Sequence, residues 1–336
     1  MNYSFQIVSL ADLDIEEYNS SPQKSVFTTL PWIQYIEEDA KAKPIIIRIT
    51  DDSRFIGYFS GLMFRKFGVK IIGSPFNGWS TCYMGLDLIG YDNRLDIVEQ
   101  LKDYLFNSFK CKYIEITDRY IAEEDAKERG ITCLPMNTLE LIIDRTDEEL
   151  FKAFKTDARN FIRQFERRGA TIEEALPDDT FAEEYYFQLQ DVFAKQHLVP
   201  TYSLEKVKTI LSHMKGTEEL LCLRVRNPEG NSIATSIFFG FKDKFFFWGG
   251  ASLRPEQHYR PNEYMIWTAI RYWRERGCKV FDMVGVRDYK RKFGAEEKHY
   301  VKLVFTKYKI LLHLRNMAKY LFFSMGKIKG KLSGKK

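Results

Sequence analysis

Two stretches of the chain alternate apolar and polar positions in the same order. In the first, the pattern predicts a helix over 31–40, then strands over 44–50 and 55–64 joined by a polar turn at 51–53, which is the mark of a hairpin. A strand over 70–73 follows, ahead of a loop dense in turn formers, Ser74-Pro75-Phe76-Asn77-Gly78-Trp79. Over 92–109 the apolar residues Leu95, Val98, Leu101, Leu105 and Phe109 share one helical face, and 113–117 returns to strand.

The second stretch opens with an apolar strand over 136–144 and then Thr146, which stands three residues before Glu149 at capping-box spacing. From there the periodicity predicts helices over 146–168, 178–196 and 203–214, with a strand over 170–175. Strands over 219–227 and 232–241 follow around Asn227-Pro228-Glu229-Gly230, then a strand over 244–250, a helix over 262–276 and a strand over 280–284. The fold class is therefore α/β, with two tandem layer domains: residues 1–145, residues 146–308, and a tail over 309–336. A length of 336 residues, above the usual ceiling for one core, agrees with that division. The halves share an element order but no evident residue identity, so duplication is an expectation drawn from pattern alone.

Composition narrows the class. With 45% hydrophobic and 29% charged residues of both signs, the chain can bury sizeable cores. The net charge of +5 is unevenly spread: eleven Lys and Arg from Lys298 onward meet no Asp or Glu, so the rest of the chain is net acidic. The tail 309–336 also carries Ile310, Leu311, Leu314, Leu321, Phe322 and Phe323, and is expected to make peripheral contact with anionic membrane. Cys82, Cys111, Cys133, Cys222 and Cys278 are too far apart for a zinc or redox motif, and the five histidines lack ligand spacing, so no metal is expected. An acidic N-terminus without a leader pattern and scattered thiols fit a cytoplasmic location, peripheral at the inner face of the membrane.

The motifs are concentrated after position 156. Thr156-Asp157-Ala158-Arg159-Asn160-Phe161-Ile162-Arg163 is followed by Phe246-Phe247-Trp248-Gly249-Gly250, Pro261-Asn262-Glu263-Tyr264, Phe281-Asp282 and Tyr289-Lys290-Arg291-Lys292-Phe293-Gly294. In that order and spacing they resemble the second half of the FemABX and related acetyltransferase-like families. Weaker likenesses stand at Val26–Trp32 and Pro75–Trp79. The resemblance implies two acetyltransferase (GNAT-like) folds with a substrate groove on or near the second. It implies an N-acyltransferase that moves an acyl or aminoacyl group onto an amine of a cell-envelope precursor: peptidoglycan, polysaccharide or a lipid-linked sugar, with an amino sugar among the acceptors. It also implies no tightly bound cofactor, with acyl-CoA or aminoacyl-tRNA as co-substrate. The glycine-rich pyrophosphate loop of acetyl-CoA enzymes is replaced here by Arg260-Pro261-Asn262.

Chemistry assigns candidate roles within these motifs. Arg159 and Arg163, four apart on a helix, suit an anion clamp. Lys290, with Lys292 beside it and Phe293-Gly294 setting the turn, suits developing negative charge or a diphosphate. Asp282 suits a base for the attacking amine if burial raises its pKa. Asn262 is expected to cap the helix it opens, and Trp248, Tyr202 and Tyr264 to wall a pocket. Two other readings compete: a non-catalytic module that binds an envelope precursor or a protein partner, and a nucleic-acid binder acting through the tail.

Overall fold

A computed structural model describes residues 3–90, 93–194 and 197–317. The chain forms two compact units, the first from Met1–Asn137 with His299–Arg315 and the second built on Thr138–Lys298.

The first unit carries β1 (Tyr3–Val8), β2 (Lys43–Asp51), β3 (Arg54–Lys66), β4 (Val69–Ser74), β5 (Leu86–Leu88) and β6 (Tyr113–Asp118). Its helices are α1 (Ile15–Asn19), α2 (Leu30–Ala40), α3 (Arg94–Phe109) and α4 (Glu123–Glu128). Strands β1 to β4 form an antiparallel meander, and β6 then lies parallel to β4. A parallel neighbour needs a crossover, and α3 supplies it. The apolar face of α3 (Leu95, Ile97, Val98, Leu101, Leu105) packs with Ile45, Ile47, Phe59, Ile72, Ile114 and Ile116 of the sheet.

In the second unit β7 (Cys133–Ile142) leads to α5 (Asp147–Ala153), α6 (Thr156–Arg167), β8 (Thr171–Glu174), α7 (Asp179–Ala194) and α8 (Leu204–Met214). Then come β9 (Leu220–Arg226), β10 (Ser232–Phe241), β11 (Lys244–Ser252), α9 (Pro261–Glu275) and β12 (Val280–Asp282). The strand order is β7-β12-β11-β10-β9-β8; β12 is parallel to β11 and the other pairs are antiparallel. The plan repeats that of the first unit, a meander closed by one helical crossover, here α9. Trp267, Ile270 and Trp273 of α9 pack with Phe238, Phe245 and Phe281 of the sheet.

Several elements depart from the pattern-based expectation. The helix expected over 146–168 is two helices, because Phe154 turns into the core against Trp267 and Phe293 while the Lys155 N–H bonds the carbonyl of Lys292. The capping box at Thr146 and Glu149 forms as its spacing predicts. The division between units falls at Asn137/Thr138, and β13 (Glu296–Thr306) pairs antiparallel with β6 of the first unit. Its charged start, Glu296-Glu297-Lys298-His299, hides a strand whose later residues Val301, Leu303 and Val304 are buried. Strands β1 and β5 and helix α4 were likewise outside the expectation, being short or weakly periodic.

A helix begins at 310 and is described through 317. Leu311 and Leu312 pack with Phe64, Val69, Ile71 and Tyr113, and Arg315 Nε donates to Glu115 at 2.7 Å. The rest of the expected tail, 318–336, lies outside the described residues. Among the described residues no helix is long and apolar enough to cross a membrane.

Candidate functional site

The site is built on two parallel strands that part. β11 and β12 pair only through Lys244–Val280, Phe245–Phe281 and Phe246–Asp282, yet β11 continues to Ser252. Against β10 the register slips between Ile237 and Phe238, so that Phe247 and Gly249 are paired and Trp248 bulges. Beyond Phe246 the edge of β11 thus runs on without β12 beside it, and Phe247 to Gly250 are only half-buried. An extended ligand with amide or carbonyl groups can complete such an edge, and a bulge re-aims side chains beside it.

The turn after β12 explains why the strands separate. Asp282 Oδ1 accepts from Thr138 Oγ1 at 2.5 Å and from the Val284 N–H at 2.9 Å, which bends the chain at once. Val284 is left-handed, with φ of 53°, and Gly285 follows at 75°. Lys290, nearly fully buried, donates its ammonium to the carbonyls of Met283, Val284 and Gly285. The ammonium also stands 5.4 Å from the Phe247 ring centroid. These groups hold the chain after β12 away from β11. Lys290 was expected to reach substrate, and Asp282 to act as a base; in the folded unit both are engaged in shaping this turn. Phe293 is fully buried against Phe154, and Gly294, at φ 79°, closes the 3-10 turn 288–293, where a Cβ would stand 3.4 Å from the Ala153 carbonyl oxygen.

One wall of the opening is aromatic. Tyr202 lies 5.2 Å from Trp248 between ring centroids, and its hydroxyl is 2.6 Å from that of Tyr185 on α7. Tyr185 is fully buried and this hydroxyl is its hydrogen-bond partner. A buried donor left unmade costs about 1–3 kcal/mol, so Tyr185 donates and Tyr202 accepts. The Tyr202 proton is then directed away from the pair. Burial pushes the Tyr202 phenol up to about 12, so it keeps that proton at any working pH. Gly249 makes the arrangement possible: a Cβ there would stand 2.1 Å from the Tyr185 hydroxyl oxygen. Tyr185 was not read from the sequence, because a Tyr on an amphipathic helix carries no signal beyond core packing.

The start of α9 meets the end of β11. Arg260 precedes it in the left-handed region, φ 63°, and Pro261 occupies the first turn. Asn262, expected as the cap, lies inside the helix; its amide donates to Ser252 Oγ at the end of β11, 3.1 Å away. Arg260 takes the capping position without a side-chain cap bond. Its guanidinium covers the Phe161 ring at 4.1 Å and donates to Gln164. Lys292 reaches the same ring, 5.2 Å from its centroid, and pairs with Glu263. Tyr264 stacks on Phe165 with centroids 4.0 Å apart.

Arg159 donates to Thr156 on its own helix, and Arg163 is exposed over the Phe151 ring at 5.2 Å. The cations that share surroundings are accordingly Lys292 and Arg260, meeting on Phe161, rather than the expected set of Arg159, Arg163 and Lys290. Neither Arg260 nor Phe161 was singled out from sequence, since a lone Arg before Pro and a Phe in a basic helix look ordinary. Among the described residues no group of His, Cys, Asp and Glu stands close enough to hold a metal ion.

A meander closed by one helical crossover, in duplicate, with parting parallel strands in the second copy, defines a recognisable class. Residues 152–291, which lie within the second unit, match the family model described as an acetyltransferase (GNAT) domain. The chain as a whole has the tandem GNAT-like fold that its motifs led us to expect. It is similar to the crystal structure of FemX at 14% identity, with 89% of this chain and 96% of that one covered and a TM-score of 0.69. It is also similar to a tandem GNAT protein from the clavulanic acid biosynthesis pathway (10% identity, 91% and 98% covered, TM-score 0.53). A third likeness is to L-PGS from Bacillus licheniformis (10% identity, 87% and 96% covered, TM-score 0.51). At such identities the likeness is one of fold. No curated protein matches the sequence.

Proposed function

We propose that this chain is an N-acyltransferase that transfers an acyl or aminoacyl group to an amine of a cell-envelope precursor. The observation that carries the reading is the edge of β11 beyond Phe246, from which β12 parts at the turn that Asp282 and Lys290 hold. The acyl donor lies along that edge as an additional strand-like segment, its carbonyl within reach of a backbone N–H. The amine attacks the carbonyl carbon, a C–N bond forms, and the bond to the thiol or alcohol leaving group breaks. The nitrogen loses a proton and the leaving group gains one. Tyr202, whose proton is directed away from Tyr185, is suited to donate to the oxygen or leaving group beside Trp248. Arg260 and Lys292, beside the first turn of α9, are suited to the anionic part of the donor, a diphosphate or a nucleic-acid phosphate.

Neither donor class is a resident cofactor; acyl-CoA and aminoacyl-tRNA are both consumed. Amino sugars and peptidoglycan precursors are the acceptor classes, by likeness to the FemABX families and by the fold shared with FemX. The test is a turnover screen of acetyl-CoA and aminoacyl-tRNA against those acceptors, with Tyr202→Phe and Arg260→Ala beside the wild type. Each variant is expected to lose at least tenfold in kcat/KM, about 1.4 kcal/mol of transition-state stabilisation. With tRNA as donor the Arg260 effect shrinks as salt rises. Turnover that is unaffected by both substitutions refutes the assignment, and absence of turnover with every pair refutes the enzyme reading.

A further inference from the structure

We propose that one end of the first unit is a docking face for an anionic lipid bilayer, formed by the tip of the β3–β4 hairpin together with the helix that begins at 310. Lys66 and Val69 close the hairpin, leaving Phe67-Gly68 as a two-residue turn. Both turn residues are left-handed, with φ of 50° and 77°. Asn-Gly fits that turn at low cost, whereas a bulky aromatic there is strained. The ring gains nothing from the fold in return, since Phe67 is 93% exposed. A strained backbone that holds an aromatic ring in water is what a membrane-inserting tip requires.

The second component is adjacent. The Lys112 N–H bonds the Lys70 carbonyl at 3.0 Å, and the Lys307 N–H bonds the Lys112 carbonyl at 3.1 Å. The start of β4, the start of β6 and the end of β13 therefore share one end of the sheet with the hairpin. The helix that follows is fixed on its inner face by Leu311 and Leu312, packed with Phe64 and Val69 of the hairpin, and by the bond from Arg315 to Glu115. This orientation leaves Ile310 63% and Leu314 47% exposed.

Charge selects the partner. Residues 62–72, 107–114 and 302–315, which build this end, contain no Asp or Glu. Lys302 and Arg315 are engaged with the buried Glu115, and the remaining cations are Arg65, Lys66, Lys70, Lys110, Lys112, Lys307 and Lys309. Apolar tips set among cations without an opposing acid match the interface of an anionic bilayer, where side chains enter the headgroup boundary and lysines meet lipid phosphates. A nucleic acid would satisfy the lysines but leave Ile310 and Leu314 in water. The sequence expectation placed membrane contact in the tail alone; the folded first unit adds a second, sequence-distant segment to it.

The experiment is vesicle co-sedimentation of the full chain with phosphatidylcholine alone and with phosphatidylcholine–phosphatidylglycerol mixtures. The wild type is expected to partition at least tenfold better onto the anionic vesicles, with the difference shrinking as salt rises. Phe67→Asn removes the ring while relaxing the turn, so its melting temperature stays level or rises while partitioning falls fivefold or more. The double variant Ile310→Ser, Leu314→Ser is expected to behave likewise. Wild-type indifference to anionic lipid overturns the proposal. So does undiminished binding by both variants, with loss appearing only when Lys327, Lys329 and Lys331 are replaced by Gln. Abolition by Phe67→Asn of a concentration-dependent dimer, with lipid binding intact, would assign the face to self-association and also overturn it.

Discussion

Replacing Lys290 by Met keeps a side chain of similar length and removes only the ammonium, and the consequence follows from its contacts. The ammonium bonds the Met283 and Val284 carbonyls at 2.5 and 2.7 Å and the Gly285 carbonyl at 3.5 Å. Hydrogen bonds to a charged group contribute about 1.5–3 kcal/mol each, so loss of the two short ones costs about 3–6 kcal/mol. With a urea slope of about 2 kcal/mol per molar, the lower figure moves the unfolding midpoint down by about 1.5 M. The turn should loosen before the core does, and hydrogen exchange at Val284 and Gly285 should accelerate relative to β9 and β10. Urea denaturation and exchange mass spectrometry measure the two effects. If Lys290→Met unfolds at the wild-type midpoint and exchanges at the wild-type rate but has lost turnover, Lys290 acts on substrate and the turn-holding account is refuted.

Three further outcomes follow from the same geometry. Gly249→Ala drives a methyl to 2.1 Å from the Tyr185 hydroxyl and is expected to cost about 1–3 kcal/mol; Tyr185→Phe removes the obstructing oxygen, so the double variant loses less than the sum, as a thermal-melt cycle will show. Burial alone would raise the Glu115 carboxyl, but Lys302 and Arg315 outweigh it and hold its pKa below 4.5. A depressed carboxylate stabilises fully above its unfolded value, and that contribution is lost as pH falls through the folded one. Glu115→Gln should therefore melt well below wild type at pH 7, with the gap closing as pH drops below 4.5; a constant gap would contradict this. Asp282→Asn keeps the accepting oxygen for Thr138 and Val284, so stability should change little; a loss of turnover above tenfold at unchanged stability would restore Asp282 as a base.

The order of elements was legible because burial writes itself into periodicity. The face of α3, the hairpin β9–β10 and the cap at Thr146 all follow from local spacing, and the motifs after 156 were enough to indicate the acyltransferase fold. Legibility ended where a residue's role depends on a partner distant in sequence. Lys290 and Lys292 stand two apart in one basic run, yet one turns to the carbonyls after β12 and the other to Glu263 and Phe161. Both are lysines in a short turn, and nothing local distinguishes them.

The sequence by itself determined the two-unit α/β plan, the acetyltransferase-like motifs and the basic, acid-free C-terminal stretch. Only the tertiary structure decided that β13 joins the first unit's sheet, that Tyr185 directs the hydroxyl of Tyr202, and that Phe67 shares one end of that unit with a helix more than two hundred positions later. The physical reason is range. Helix and strand formation depend on neighbours a few residues apart, whereas which donor meets which acceptor, and which lysine stays in water, is settled when distant segments compete for the same buried space.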